Sequence, residues 1–207
     1  MTPKKIYLVR HGQTDFNKKG IVQGRGVDSS LNETGRQQAA AFYAHFGQTP
    51  FDQLFTSTLQ RTEQSMQPFI AAGLPHQKHA GLNEIHWGAK EGKPFSPDDH
   101  DEYLQILHAW RNGDTHLGIA GGQSPEELAA EQREALQQLL AAEGEHILVC
   151  MHGRAMRIFL CVLLNYPLSR MDLFAHTNLC CYRLSYTGSM FSLDWYNYTR
   201  HLNGIKA

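Results

Sequence analysis

Two histidine–glycine pairs stand where short apolar runs stop. Ile6-Tyr7-Leu8-Val9 leads into Arg10-His11-Gly12, and Ile147-Leu148-Val149-Cys150-Met151 leads into His152-Gly153. With 12 His and 18 Gly in 207 residues, chance alone yields about one His-Gly pair, so the pairs as such mean little. An Arg-His-Gly triplet is expected only about 0.05 times. Its position matters more. Ligands of an open α/β sheet bind beyond the carboxyl ends of strands, so both histidines are expected at the ligand edge. Each following Gly is expected to let backbone approach a ligand closely. An imidazole there can act as a nucleophile through one ring nitrogen while the other donates to a backbone carbonyl that sets the tautomer. A neighbouring guanidinium offers a planar fork to two oxygens of an anion such as phosphate.

Other chemistries fit poorly. A thiol nucleophile of the C-x5-R kind is excluded, because Cys150, Cys161, Cys180 and Cys181 all lack Arg at that offset. An aspartyl nucleophile would close an apolar strand with D-x-D, whereas Asp99-His100-Asp101 sits in a polar stretch. There is no P-loop pattern. The four Cys form no C-x-x-C pair, and each lies in an apolar run, where a reduced Cys acts as a small core residue. His76 and His79 flank no further ligand cluster, so no metal is expected. The net charge of −1 argues against nucleic acid as a partner. No stretch approaches the ~18 apolar residues of a membrane span, and the apolar run after Lys4 and Lys5 is too short for a signal peptide core. A cytoplasmic protein is expected.

The elements that must position these residues alternate. Residues 4–9 read as a buried strand. Residues 33–46 have helical spacing, with Asn32 as N-cap. Residues 51–56 read as a second strand, followed by a helix from about Thr58 that Pro68 should end or kink. Ser124-Pro125 and Glu127 form a capping box opening a helix that should stop at Gly144. Residues 147–151 read as a strand buried on both faces, followed by a helix over 154–164. Residues 179–186 and 190–198 flank Gly188-Ser189 as a hairpin. The alternation points to an α/β fold with a mostly parallel sheet. One domain over 1–207 is expected, with an insertion at 86–123 that carries an amphipathic piece near 99–111.

The triplet has specific company. Gln13, Thr14 and Asn17 follow it, then Gln23-Gly24, Leu31, Gly35 and Gln38. Ser57-x-Leu59-x-Arg61-Thr62-x-Gln64, Leu82-x-Glu84, Gly88, Glu91-Gly92 and Gly121-Gly122-Gln123-Ser124 come next, before Met151-His152-Gly153. In this order the chain resembles the histidine phosphatase superfamily, which includes the cofactor-dependent phosphoglycerate mutases. The resemblance runs from residue 4 to about 165, with weaker agreement to 200. It implies a three-layer fold, with helices on both faces of the sheet. It also implies a metal-independent phosphomonoester hydrolase, without cofactor, acting on a small phosphorylated metabolite through a phosphohistidine.

Carried over position by position, His11 is the nucleophile. Arg10, Arg61 and His152 hold the phosphoryl group, His152 as a third positive donor if it is protonated, which suits a reaction dominated by positioning and charge stabilisation. Asn17, Gln23, Gly24 and Gly153 line the phosphate site. Glu84 matches the acid/base position that would protonate the leaving alkoxide. Glu91 supports from behind, and His86 is expected to line the pocket. A mutase is the alternative, and a non-catalytic phosphate binder a lesser one. Three departures favour the small phosphatase branch: only 68 residues from Glu84 to His152, Gln at position 23, and Arg154 after the second His-Gly. Lys90, Lys93 and Arg111 could hold a second anionic group. Trp87, Phe95 and Tyr103 could stack on substrate or pack in the core. His45, His100, His108, His116, His146, His176 and His201 read as surface or packing residues.

Overall fold

The computed structural model describes residues 3–94 and 96–205; Phe95 therefore lies outside the described residues. Six strands form one sheet in the order β3-β2-β4-β1-β5-β6: β1 is Lys4–Arg10, β2 Gln53–Thr56, β3 His76–Lys78, β4 His146–Met151, β5 Cys181–Tyr186 and β6 Phe191–Tyr198. The pairs β3·β2, β2·β4 and β4·β1 are parallel, and β1·β5 and β5·β6 antiparallel. The expected α/β fold with a mostly parallel sheet is thus present. The hairpin turns at Gly188, whose φ of 104° is in the left-handed region that Gly tolerates.

Side chains alternate across the sheet and build a core on each face. Ile6, Leu8, Ile147 and Val149 face one core, shared with Leu128, Leu139, Phe159 and Trp110. Those partners come from α4 (Pro97–Asn112), α5 (Pro125–Ala141) and α6 (Gly153–Leu164). Tyr7, Val9, Leu148 and Cys150 face the other core with Phe42, Met66 and Phe69, carried by α2 (Glu33–Phe46) and α3 (Gln60–Ala71). Helices therefore cover both faces. A single turn, α1 (Asp15–Lys18), follows β1.

Several boundaries move. Pro68 lies inside α3, which continues to Ala71. The missing N–H removes one bond to the preceding turn, while burial of Met66 and Phe69 holds that face against the sheet. The helix opens at Gln60, not Thr58: Asp28 Oδ1 accepts from Gln60 N at 2.7 Å, and Asn83 Oδ1 holds the Thr58 N–H and hydroxyl. α5 ends at Ala141, and Gly144, with φ 83°, belongs to the turn before β4, where a Cβ would meet Asp52. Strand β3 carries His76-Gln77-Lys78, a polar edge of three residues without the apolar run that marks a strand. Within the expected insertion, α4 starts on Ser96 with its own capping box to Asp99, the same Ser-Pro-x-acid pattern that opens α5.

The Ser124 box is intact: its hydroxyl accepts from Glu127 N at 3.2 Å while Glu127 Oε2 accepts from Ser124 N at 2.8 Å. Ser124→Ala should therefore lower stability by about 1 kcal/mol, read as a shift in urea midpoint at constant slope. An unchanged midpoint would show that α5 does not depend on this cap.

Candidate functional site

Three adjacent parallel strands deliver the candidate residues to one edge. Arg10 ends β1 and pairs in register with Met151, the end of β4. His11 and His152 therefore emerge side by side, with ring centroids 5.1 Å apart. Thr56 ends β2 opposite Cys150, so Ser57 and the first turn of α3, with Arg61, arrive next to His152.

His11 is buried at 3% exposure. Its Nδ1 lies 2.7 Å from the Gly12 carbonyl. A carbonyl only accepts, so Nδ1 carries the proton and Nε2 keeps its lone pair. Burial, reinforced by the Arg61 and Arg10 charges, holds the His11 pKa well below the usual imidazole range. The ring is neutral and its free nitrogen is available as a nucleophile. Asn178 Nδ2 donates to the His11 carbonyl at 3.0 Å and to Asn17 Oδ1 at 3.2 Å, tying the strand end to α1.

His152 lacks the protonation that would make it a third positive donor. It is fully buried and its pKa is also held well below the usual range, by burial first and then by Arg61, His11 and Arg10. It is neutral rather than a third cation. Its Nδ1 accepts from Arg61 Nε at 3.1 Å, so the proton sits on Nε2 and goes to Ser57 Oγ at 2.8 Å. Its place in this arrangement is to aim Arg61. That guanidinium also donates to the carbonyls of Val27 (2.6 Å) and Gly24 (3.3 Å). It thus clamps the segment that carries Gln23 and still has N–H groups to spare among its five. Burial lowers the Arg61 pKa to about 10, and it stays charged.

Arg10, His11, Asn17, Gln23, Glu84 and Gly153 meet around one cavity of about 180 Å³. Arg10 Nη1 donates to His176 Nδ1 at 3.2 Å, while its buried Nε has no partner among the described residues. A charged donor buried without an acceptor is costly, and here it lies beside the cavity. Gln23 Oε1 accepts from Thr14 Oγ1 at 3.0 Å and from Ser29 Oγ, which turns its amide N–H groups to other partners. Asn17 Oδ1 is likewise taken by Thr14 N and Asn178. Glu84 is 7% exposed and sits at the N-terminus of α6. Its Oε1 accepts from Ile85 N (2.9 Å) and Ala155 N (2.8 Å), and Oε2 from Arg154 N (3.1 Å). Of about four lone-pair positions on a carboxylate, the unfilled one is on Oε2.

The glycines permit close packing around the site. A Cβ on Gly12 would meet the Gly35 carbonyl at 2.8 Å, and one on Gly153 would meet His176 Cε1 at 2.8 Å and Arg10 Nε at 3.4 Å. Both make room for neighbouring protein groups, and Gly153 also lines the cavity. Gly24 makes room for Glu91, whose Oε1 would lie 1.7 Å from a Cβ there. Glu91 bridges Trp87 N and Gly26 N, at 2.8 Å each, behind the cavity.

Other expectations change too. His86 points to the Gly121 carbonyl (3.0 Å) and lines a separate surface depression with Arg25 and Gln123. Its successor Trp87 lines the cavity, as does Tyr103, and the two rings also pack on each other at 5.3 Å. Lys90 is engaged by Asp99 and Glu102, and Arg111 by Asp172 at 2.9 Å, while Lys93 is exposed. His76 bonds Thr56 Oγ1 (2.8 Å) and His79 caps the turn Ala80–Leu82. No group of three or more His, Cys, Asp or Glu that could hold a metal occurs among the described residues. His176, read from sequence as ordinary, lines the cavity instead. It follows the 3-10 segment Leu168–Leu173 and precedes β5, outside any motif.

Residues 6–199 match the histidine phosphatase superfamily, branch 1. The chain belongs to that family. A probable phosphatase of Schizosaccharomyces pombe is 46% identical over 66 residues, 32% of this chain and 31% of that protein. A probable phosphoglycerate mutase of Serratia proteamaculans is 30% identical over 168 residues, 79% of this chain and 76% of that protein. The match thus spans about a third of the first relative's length. Among solved structures, a mycobacterial glucosyl-3-phosphoglycerate phosphatase complexed with VO3 aligns at TM-score 0.84 and 27% identity, over 95% of this chain and 100% of that one.

The buried neutral imidazoles make stability depend on pH. His11 and His152 are held low, and His176 is pushed down to about 2 by burial and by Arg10, Arg157 and Arg154. The unfolded chain protonates these rings as pH falls through about 6.5 and the native chain does not. Stability should be complete above that pH and fall on acidification, by up to about 1.4 kcal/mol per pH unit and ring. Urea midpoints at pH 7.5 and 5.5 test this; an equal or higher midpoint at pH 5.5 would contradict it.

Proposed function

We propose that the protein is a metal-independent phosphomonoester hydrolase that acts on a small phosphorylated metabolite through a phosphohistidine at His11. The observation that carries the reading is the fixed tautomer of His11, with its free Nε2 beside Arg10, whose Nε lacks an acceptor among the described residues. A phosphomonoester supplies both an electrophile for that lone pair and oxygens for that donor. That the mycobacterial neighbour forms a complex with VO3 supports an oxyanion as the kind of ligand this fold takes.

In this reading Nε2 attacks phosphorus while the bond to the ester oxygen breaks. Arg10 and Arg61 hold the equatorial oxygens, with Asn17 and Gln23 adding amide donors. Glu84 gives its proton, carried on Oε2, to the leaving alkoxide. It then takes a proton from the water that attacks the phosphohistidine, which returns Nε2 to its free state. His152 and Gly24 keep Arg61 aimed, and Gly153 keeps space for His176 against Arg10. Four buried thiols support a reducing, cytoplasmic setting.

A phosphomonoester panel with EDTA present should show phosphate release by the native enzyme, with His11→Ala at background. Retained turnover in that variant would remove the phosphohistidine route. Isomerised 3-phosphoglycerate without phosphate release would favour a mutase. Glu84→Gln should lower kcat by about a hundredfold or more on alkyl phosphates and much less on p-nitrophenyl phosphate, whose leaving group needs little proton help. Equal losses on both would count against Glu84 as the acid.

A further inference from the structure

Beyond the reacting phosphoryl group, we infer that the cavity recognises a second anionic group on the substrate, a carboxylate or another phosphate, through Arg154. This rests on the hydrolase reading and adds a substrate class to it. Arg154 lines the same cavity as His11 and is itself only 9% exposed. One end of its guanidinium is fixed: Nη1 donates to Asp172 at 2.7 Å, and the plane lies over Trp110 at 5.6 Å. Its Nε and Nη2 have no hydrogen-bond partner among the described residues. The Arg154 main-chain N–H already holds Glu84, so the side chain and the acid/base position are coupled through one residue.

Around it, guanidinium groups outnumber the carboxylate they share. Asp172 is a single carboxylate shared by Arg154, by Arg157 at 2.6 Å and by Arg111 at 2.9 Å. Arg157 Nε is buried without a partner among the described residues. A desolvated excess of guanidinium next to a cavity stabilises anions that enter it. Arg10 and Arg61 are committed to the phosphoryl group, so Arg154 is the cation left for a further charge. A planar fork with two free positions suits a carboxylate or phosphate. Asp172 is the positioning residue that extends Arg154 toward the cavity. Tyr103 and Trp87 supply the wall between.

The test compares substrates that differ only in the second charge. One pair is 3-phosphoglycerate and glycerol 3-phosphate; the other is fructose 1,6-bisphosphate and fructose 6-phosphate. The two pairs separate a carboxylate from a phosphate. The native enzyme should prefer the doubly anionic member of at least one pair by tenfold or more in kcat/KM. Arg154→Gln should collapse that ratio toward one, mainly through KM, while p-nitrophenyl phosphate loses several-fold less. Arg154→Lys, which keeps the charge and a donor for Asp172, should restore part of the ratio. No preference in the native enzyme, or an unchanged ratio in Arg154→Gln, overturns the second-anion site while leaving the hydrolase reading intact. Equal losses on every substrate in both variants also overturn it, because Arg154 would then serve the common phosphoryl site. No phosphate release from any substrate by the native enzyme fails the hydrolase reading itself, and this inference with it.

Discussion

A neutral imidazole buried between two guanidinium groups is the constraint on which the rest of this structure depends. Removing His11 from water disfavours its charged form, and Arg10 and Arg61 disfavour it further. The Gly12 carbonyl pulls the other way but decides which nitrogen holds the single proton. The outcome is a neutral ring whose Nε2 lone pair is free without deprotonation. The cost is two desolvated arginines, and the surrounding network exists to make them tolerable. His152 accepts from Arg61, His176 accepts from Arg10, and each acceptor is kept neutral by burial first and then by the cations beside it. An entering phosphoryl group would complete the balance.

The sheet makes this possible by register. Arg10 stands opposite Met151 and Thr56 opposite Cys150, so three parallel strands end together and their next residues converge. Tight backbone packing then holds the edge. Gly12 lies against Gly35, and Gly35 against the Gln13 carbonyl, where a Cβ would sit at 2.1 Å. Gly12 N donates to Ser65 Oγ at 2.8 Å, which ties the strand end to α3. Function at this edge is therefore coupled to helix packing on the face where α2 and α3 lie.

Much of this was legible from residues alone, for a physical reason. A strand that stops at Arg-His-Gly or His-Gly is a local signal, and the apolar runs before both pairs mark buried parallel strands. The capping boxes are local too. What stayed hidden depends on orientation or on distant chain. His86 and Trp87 are adjacent in an irregular segment, where no period tells which side chain faces inward. His176, Asn178 and Asp172 reach the site from the connection before β5, with no motif around them. The protonation of His152 could not be read from its type, because only the buried Arg61 and Ser57 partners define it. The polar strand His76–Lys78 has no apolar pattern, because it lies at the sheet edge.

The central claim is that His11 Nε2 takes the phosphoryl group. The most direct measurement is rapid alkaline quench of the enzyme turning over a phosphomonoester, followed by phosphopeptide mapping. The account predicts one phosphoryl group, stable in alkali and lost in acid, on the peptide containing His11. A phosphoryl group on another residue, or steady turnover with no labelled protein at any quench time, would contradict it.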